Sequence, residues 1–223
     1  MSFNDSTLPF SPSESSEKRS YASYDVLIDN RLELLCRHAK ACHLYYQQIQ
    51  DESKKEFVLN EGAQAASDAL KLNETHFEAL KQGALIAREK ASFLEGSAKK
   101  RELAKFKNLA DRALHEYSDD FELLYLRGLY HFKNPEFSWI QHICFPCSFS
   151  VNQLAIEDFL EADSLRPNQY IDIHYHLALC YKAAGNVKRT LQHFRVVDEL
   201  EAVDAVHRRM QAEARDMLID SLN

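Results

Sequence analysis

The stretch Ala155-Ile156-Glu157-Asp158-Phe159-Leu160-Glu161-Ala162-Asp163-Ser164-Leu165-Arg166-Pro167 decides the fold class. Ala155, Phe159, Ala162 and Leu165 recur at steps of three and four, which puts them on one face of a helix. Pro167 ends that helix, because proline lacks an N–H and its ring clashes with the preceding turn. Downstream, Leu177, Ala178, Tyr181, Gly185 and Phe194 repeat the mixture of small and aromatic residues. Small residues let two antiparallel helices approach closely, and the aromatics fill the space beside them. The local pattern is therefore a helical hairpin, and it occurs more than once.

Working outward, the five prolines stand at 9, 12, 135, 146 and 167, with none between Pro12 and Pro135. Such a stretch suits long helices and lacks the turns that an all-β chain needs. The small and aromatic positions are similar to those of tetratricopeptide repeats. The expected fold is all-α: a tetratricopeptide-like helical-hairpin solenoid of three to four hairpins with a C-terminal capping helix. The cap is needed because an unstacked end would leave apolar surface in water. Helices are expected at about 24–50, to Asn73 with Ser53 and Glu56 as a capping box, at 75–95 and at 98–117. Ala110, Ala113 and Leu114 mark a close-packed seam. The hairpin that begins near Asp119 with Phe121, Leu124, Tyr125, Gly128 and Leu129 is interrupted over 133–152, and Ser150 and Gln153 are expected to cap its second helix. The last hairpin is expected at 169–200 and the closing helix at 203–222.

Residues 1–22 read as a disordered tail rich in Ser and Pro, and 23–223 as the helical domain. Ser11-Pro12 fits a proline-directed phosphorylation site, against the simpler reading of an unmodified tail. No apolar run approaches the roughly 20 residues of a membrane span, and the start lacks the basic-then-apolar order of a secretory signal. With five Cys, an odd number, reduced thiols in a cytoplasmic setting are expected.

Chemical motifs are sparse. Cys144-x-x-Cys147, with His142 nearby, has the spacing of a redox dithiol or half a zinc site. A thioredoxin-like motif needs a βαβ context that is missing here, so inert thiols are the expectation. His38 and His43 are badly placed for a shared metal, and His174 and His176 point to different sides of a helix. Carboxylates are scattered, as on solvated helix faces. No glycine-rich phosphate loop, nucleophile elbow or HExxH motif occurs. The expectation is a non-enzyme with no catalytic residues, no metal and no cofactor.

Phe137-Ser138-Trp139-Ile140, Phe145-Pro146, the helix from Ala155 to Pro167 and Cys180-Tyr181-Lys182 resemble the regulator of microtubule dynamics family. That family carries a Ser-Trp start, a proline-containing connection and an A-x-x-x-F-L-x-A-E-x-L-x-P helix within a divergent tetratricopeptide domain. Asp163 stands where its pattern has Glu. The specific part is 137–185, and the likeness extends from about residue 25. The resemblance implies a cytosolic protein on the cytoskeleton, spindle and spindle poles, associated with microtubules and tubulin and supporting chromosome segregation. Several relatives carry an N-terminal membrane anchor, which is not expected here.

A net charge of −7 means that contact with an acidic microtubule needs a local basic face, since like charges repel within a Debye length of roughly 8 Å. Lys99, Lys100, Arg101, Lys105, Lys107 and Arg112 form the candidate tubulin-facing patch, against the reading of an ordinary solvated helix. Nucleic acid is not expected as a partner, because the rest of the chain is acidic and no recognised motif occurs. Transferring the groove-facing positions of tetratricopeptide hairpins gives Lys81, Leu85 and Arg88, then Tyr125, Leu129 and Phe132, then Tyr175, Leu179 and Lys182. Aromatics beside cations suit a peptide, an acidic tail or an apolar ligand. For Leu85, Leu129 and Leu179 the alternative is filling between hairpins. Besides a microtubule-associated scaffold, the sequence leaves open a peptide-binding adaptor without tubulin contact and a carrier of an apolar ligand such as a lipid.

Overall fold

The computed structural model describes residues 13–133 and 152–221, with side chains from Val26 onward within those ranges. Among the described residues the secondary structure is nine helices: α1 (Ser13–Tyr46), α2 (Glu52–Leu72), α3 (Phe77–Ser92), α4 (Gly96–Glu116), α5 (Phe121–Lys133), α6 (Gln153–Leu165), α7 (Ile171–Ala183), α8 (Val187–Glu199) and α9 (Ala205–Asp220). α1 packs on α2, α5 on α6, and α7 on α8, with α9 closing on α8. The chain divides into two compact units, Met1–Ile86 and Ala87–Asn223, and the division falls within α3.

In the first unit α1 and α2 pack antiparallel. Cys42 near the end of α1 and Ile49 just past it meet Val58 near the start of α2, while Leu32 and Cys36 meet Ala69 near its end. Gly62 permits this closeness, since a Cβ there would lie 2.8 Å from Cys42 Cβ and 2.9 Å from Ile86 Cδ1. Two expectations change here. The helix begins at Ser13, not near Tyr24, so 13–22 of the expected tail are helical; no proline or glycine interrupts Ser13–Tyr46. The cap of α2 is Asp51, not Ser53: Asp51 Oδ1 accepts from the Ser53 and Lys54 amides at 3.1 and 3.4 Å and from Ser53 Oγ at 2.7 Å. A carboxylate one residue before the first turn meets two orphan N–H groups and the positive end of the helix dipole together.

In the second unit the quoted helix, α6, lies against α5. Gly128 makes room for Phe159, whose ring edge would sit 2.7 Å from a Cβ at that position. Ala155, Phe159 and Ala162 are fully buried, and α6 stops at Leu165, two residues before Pro167. Its N-cap is Asn152, which makes no side-chain cap bond. Gln153, an expected cap, instead donates to Glu157 Oε1 at 2.9 Å, and Ser150 lies outside the described residues. Ala110, Ala113 and Leu114 are buried on α4, as the seam reading requires. α9 closes the unit by covering Ala178, Phe194 and Val197 with Met210 and Ala214. Gln211 Nε2 donates to the carbonyls of Val197 at 3.1 Å and Leu200 at 2.6 Å. One side-chain amide thus satisfies carbonyls that the end of α8 leaves open.

Candidate functional site

Within the second unit, the end of α3, the start of α4 and the end of α5 line an open cavity of about 430 Å³. Its floor is apolar: Leu103, Phe106, Leu126, Leu129 and Tyr130, with the Phe106 and Tyr130 rings tilted at 6.0 Å. Arg88, Lys99 and Lys133 stand around it, and Arg88 Nη1 holds Glu89 Oε1 at 2.8 Å. Lys99 lies in the first turn of α4, which has no acidic residue. Cations at a helix N-terminus oppose the dipole, at about 0.3–1 kcal/mol each. The carboxylate of Glu95 at the N-cap offsets that cost, and the positive potential at the cavity mouth comes from the side chains of Arg88, Lys99 and Lys133. An apolar floor under a positive rim suits an apolar side chain beside a carboxylate.

The cavity brings together residues from both candidate sets. Arg88 and Leu129 come from the expected groove and Lys99 from the expected basic patch. Lys100, Arg101 and Lys105 are exposed farther along α4, and Arg112 is half-buried. Lys107 is tied by its ammonium to Asp111 Oδ2 at 2.5 Å. Lys81 is half-buried and Leu85 buried on the first-unit part of α3. Tyr125 packs on Phe159 and His176, and burial pushes its phenol well above its ordinary range. Phe132 meets His176 edge-on at 5.4 Å. The last three expected groove residues face α9 instead. The Tyr175 hydroxyl donates to Glu213, and burial together with that carboxylate pushes it up to about 12. Leu179 joins the cluster under α9, and Lys182 Nζ stands 3.3 Å from Met217 Sδ.

Sequence reasoning missed a polar interior. Asp158, expected on a solvated face, is 4% exposed. Its carboxylate takes Arg127 Nη2 at 2.6 Å and Nε at 3.1 Å, while Arg127 Nη1 reaches Asp111 at 3.2 Å. His174 and His193 face each other with their Nδ1 atoms 3.0 Å apart, so at most one proton lies between the rings. Asp163 Oδ1 is 3.3 Å from His174 Nε2, and Tyr181 stacks on His193 at 5.5 Å. Burial, then the neighbouring imidazole, lowers His193 to about 4. His176 is buried on another side of α7, its Nδ1–H donating to the Asp172 carbonyl at 2.7 Å. The signal for this network in the sequence is polar residues in the apolar register of α5, α6, α7 and α8. Cys144, Cys147 and His142 lie outside the described residues.

The chain matches the family described as "Regulator of microtubule dynamics protein 1-3" over residues 11–223. It belongs to the regulator of microtubule dynamics family. The match takes in the quoted helix and the cavity, and it gives the chain a microtubule-related role on a helical-repeat scaffold. Among solved structures it is similar to TTC0263, a thermophilic TPR protein of Thermus thermophilus, at 15% identity over 90% of this chain and 94% of that chain, with a TM-score of 0.53. A point mutant of MamA is similar at 16% identity over 79% of this chain and 99% of that chain, with a TM-score of 0.50. At such identity the likeness shows the fold, which is tetratricopeptide-like. No curated protein matches the chain by sequence. Among the described residues, no helix is long and apolar enough to cross a membrane.

Proposed function

We propose that the protein is a non-enzymatic, microtubule-associated scaffold that supports spindle function and chromosome segregation, and that it engages acidic partners through the α3–α4–α5 cavity. The observation that carries this reading is the grouping of Arg88, Lys99 and Lys133 around the Leu103, Phe106 and Leu129 floor. Net charge alone would repel an acidic surface, so a local basic rim is what makes contact favourable. Lys100, Arg101 and Lys105 on α4 extend the rim along the exposed helix. An acidic segment would lay its carboxylates on the rim and an apolar side chain on the floor, which also makes the cavity fit the adaptor reading.

Microtubule co-sedimentation at low and near-physiological salt tests the proposal. The expected result is salt-sensitive pelleting that Lys99/Lys100/Arg101/Lys105→Glu abolishes and Arg88→Glu/Lys133→Glu weakens. Pelleting that neither variant affects moves the contact away from the cavity. Absence of pelleting at both salt concentrations removes direct tubulin contact and leaves a peptide-binding adaptor.

A further inference from the structure

The first unit carries a cluster that the scaffold reading does not use. His38 and Cys42 lie one turn apart on α1, and Glu61 projects from α2 toward them. One donor atom from each, an imidazole nitrogen, a thiol sulfur and a carboxylate oxygen, all lie within 4.8 Å of one another. We infer that His38, Cys42 and Glu61 form a zinc site clamping α1 to α2.

The backbone places the donors. Gly62, next to Glu61, sits against Cys42 so closely that a Cβ would be 2.8 Å from the Cys42 Cβ. The two helices therefore meet face to face at this point, and the register of α2 on α1 is set by that contact. Cys42 is buried, whereas His38 and Glu61 are exposed, so one donor is held by packing and two swing at the rim. Zinc takes such nitrogen, sulfur and oxygen donors at roughly 2.0–2.3 Å. Closing on the ion draws the three atoms inward by an amount within reach of rotamer changes in His38 and Glu61. Three protein donors leave a fourth position, which opens into a pocket of about 490 Å³ bounded by Tyr45, Phe57 and Val58. Lys54 also borders that pocket, and its ammonium is directed to Asp51 Oδ2 at 3.7 Å. A mixed sulfur, nitrogen and oxygen set favours zinc over magnesium or calcium, which take oxygen donors.

Titrating the tag-free, full-length protein with Co²⁺, then displacing it with Zn²⁺, tests the site. One equivalent of Co²⁺ is expected to give a thiolate-to-cobalt charge-transfer band and strong visible bands of a tetrahedral centre. Cys42→Ser is expected to lose the charge-transfer band. His38→Ala and Glu61→Gln, both at exposed positions, are each expected to weaken Zn²⁺ binding at least about tenfold, the lower end of what even outer-shell substitutions do at metal sites. Cys144→Ser/Cys147→Ser is expected to bind as wild type does. A band that survives Cys42→Ser and vanishes with Cys144→Ser/Cys147→Ser overturns the assignment. So does affinity unchanged in both His38→Ala and Glu61→Gln, or no cobalt uptake by the folded protein.

Discussion

The α1–α2 hairpin and the α5–α8 region use the same antiparallel packing with opposite chemistry. The first is closed mainly by small and aliphatic groups: Ala39, Leu59, Ala65 and Ala66 form its core, with thiols and Gly62 at the close contacts and the His43 imidazole buried on α1. The second buries an Arg127–Asp158 pair and the imidazoles of His174 and His176 among its aromatics. The difference teaches that the hairpin requires matched shape, while the second region adds a requirement for matched charge. Apolar packing degrades gradually as volume is lost, whereas a buried charge that loses its partner fails at once.

Removing a charge partner is expected to show the largest effect. Asp158→Ala leaves the half-buried Arg127 guanidinium with Asp111 in place of its main carboxylate and is expected to cost about 3 kcal/mol, the low end for breaking a buried pair. Chemical denaturation measures it, and the double variant Arg127→Met/Asp158→Leu should recover most of the loss. Filling the two glycine contacts comes next. Gly128→Ala drives a methyl into the Phe159 ring and Gly62→Ala into Cys42 Cβ and Ile86 Cδ1, each at about 1–3 kcal/mol. Gly62→Ala is expected to cost more, because Cys42 Cβ is carried directly on the α1 backbone and cannot turn aside, whereas the Phe159 ring can tilt. Equal losses would show that the aromatic core of the second region is as unyielding as the α1–α2 contact.

Acid separates the two regions next. Unfolded imidazole titrates near 6.5, and folded His193 is lowered to about 4. Between those values the unfolded chain binds more protons, so the folded state loses stability as pH falls through the window. The thermal midpoint of the wild type should drop there, and His193→Gln should flatten that limb. Smallest of all, Lys105→Glu on the exposed side of α4 is expected to move stability by no more than about 0.5 kcal/mol. Any larger change would mean that the basic face carries the fold as well as a partner.

Much of this was legible in the residues. Ala155, Phe159 and Ala162 sit at helical spacing and are buried as that spacing implies, and Pro167 stands just past the end of α6. The closing helix followed from the need to cover Phe194 and its neighbours. The candidate cavity was half legible. Arg88, Leu129 and Lys99 were each singled out, but on separate surfaces, because helical periodicity says which face a residue occupies and not which other face it meets. Asp51 displaced Ser53 as a cap through a choice between adjacent residues that only hydrogen-bond geometry makes.

The sequence by itself determined the helices, their breaks and their apolar faces, and with them the all-α hairpin fold, because these depend on contacts a few residues apart. Only the tertiary structure decided what each polar residue does. It buried Asp158 against Arg127, faced His174 to His193, turned Tyr175 toward α9, and brought Glu61 to His38 and Cys42. Each outcome depends on the register of one helix on another. Close packing sets that register through contacts such as Gly62 on Cys42 and Gly128 under Phe159, which no local periodicity encodes.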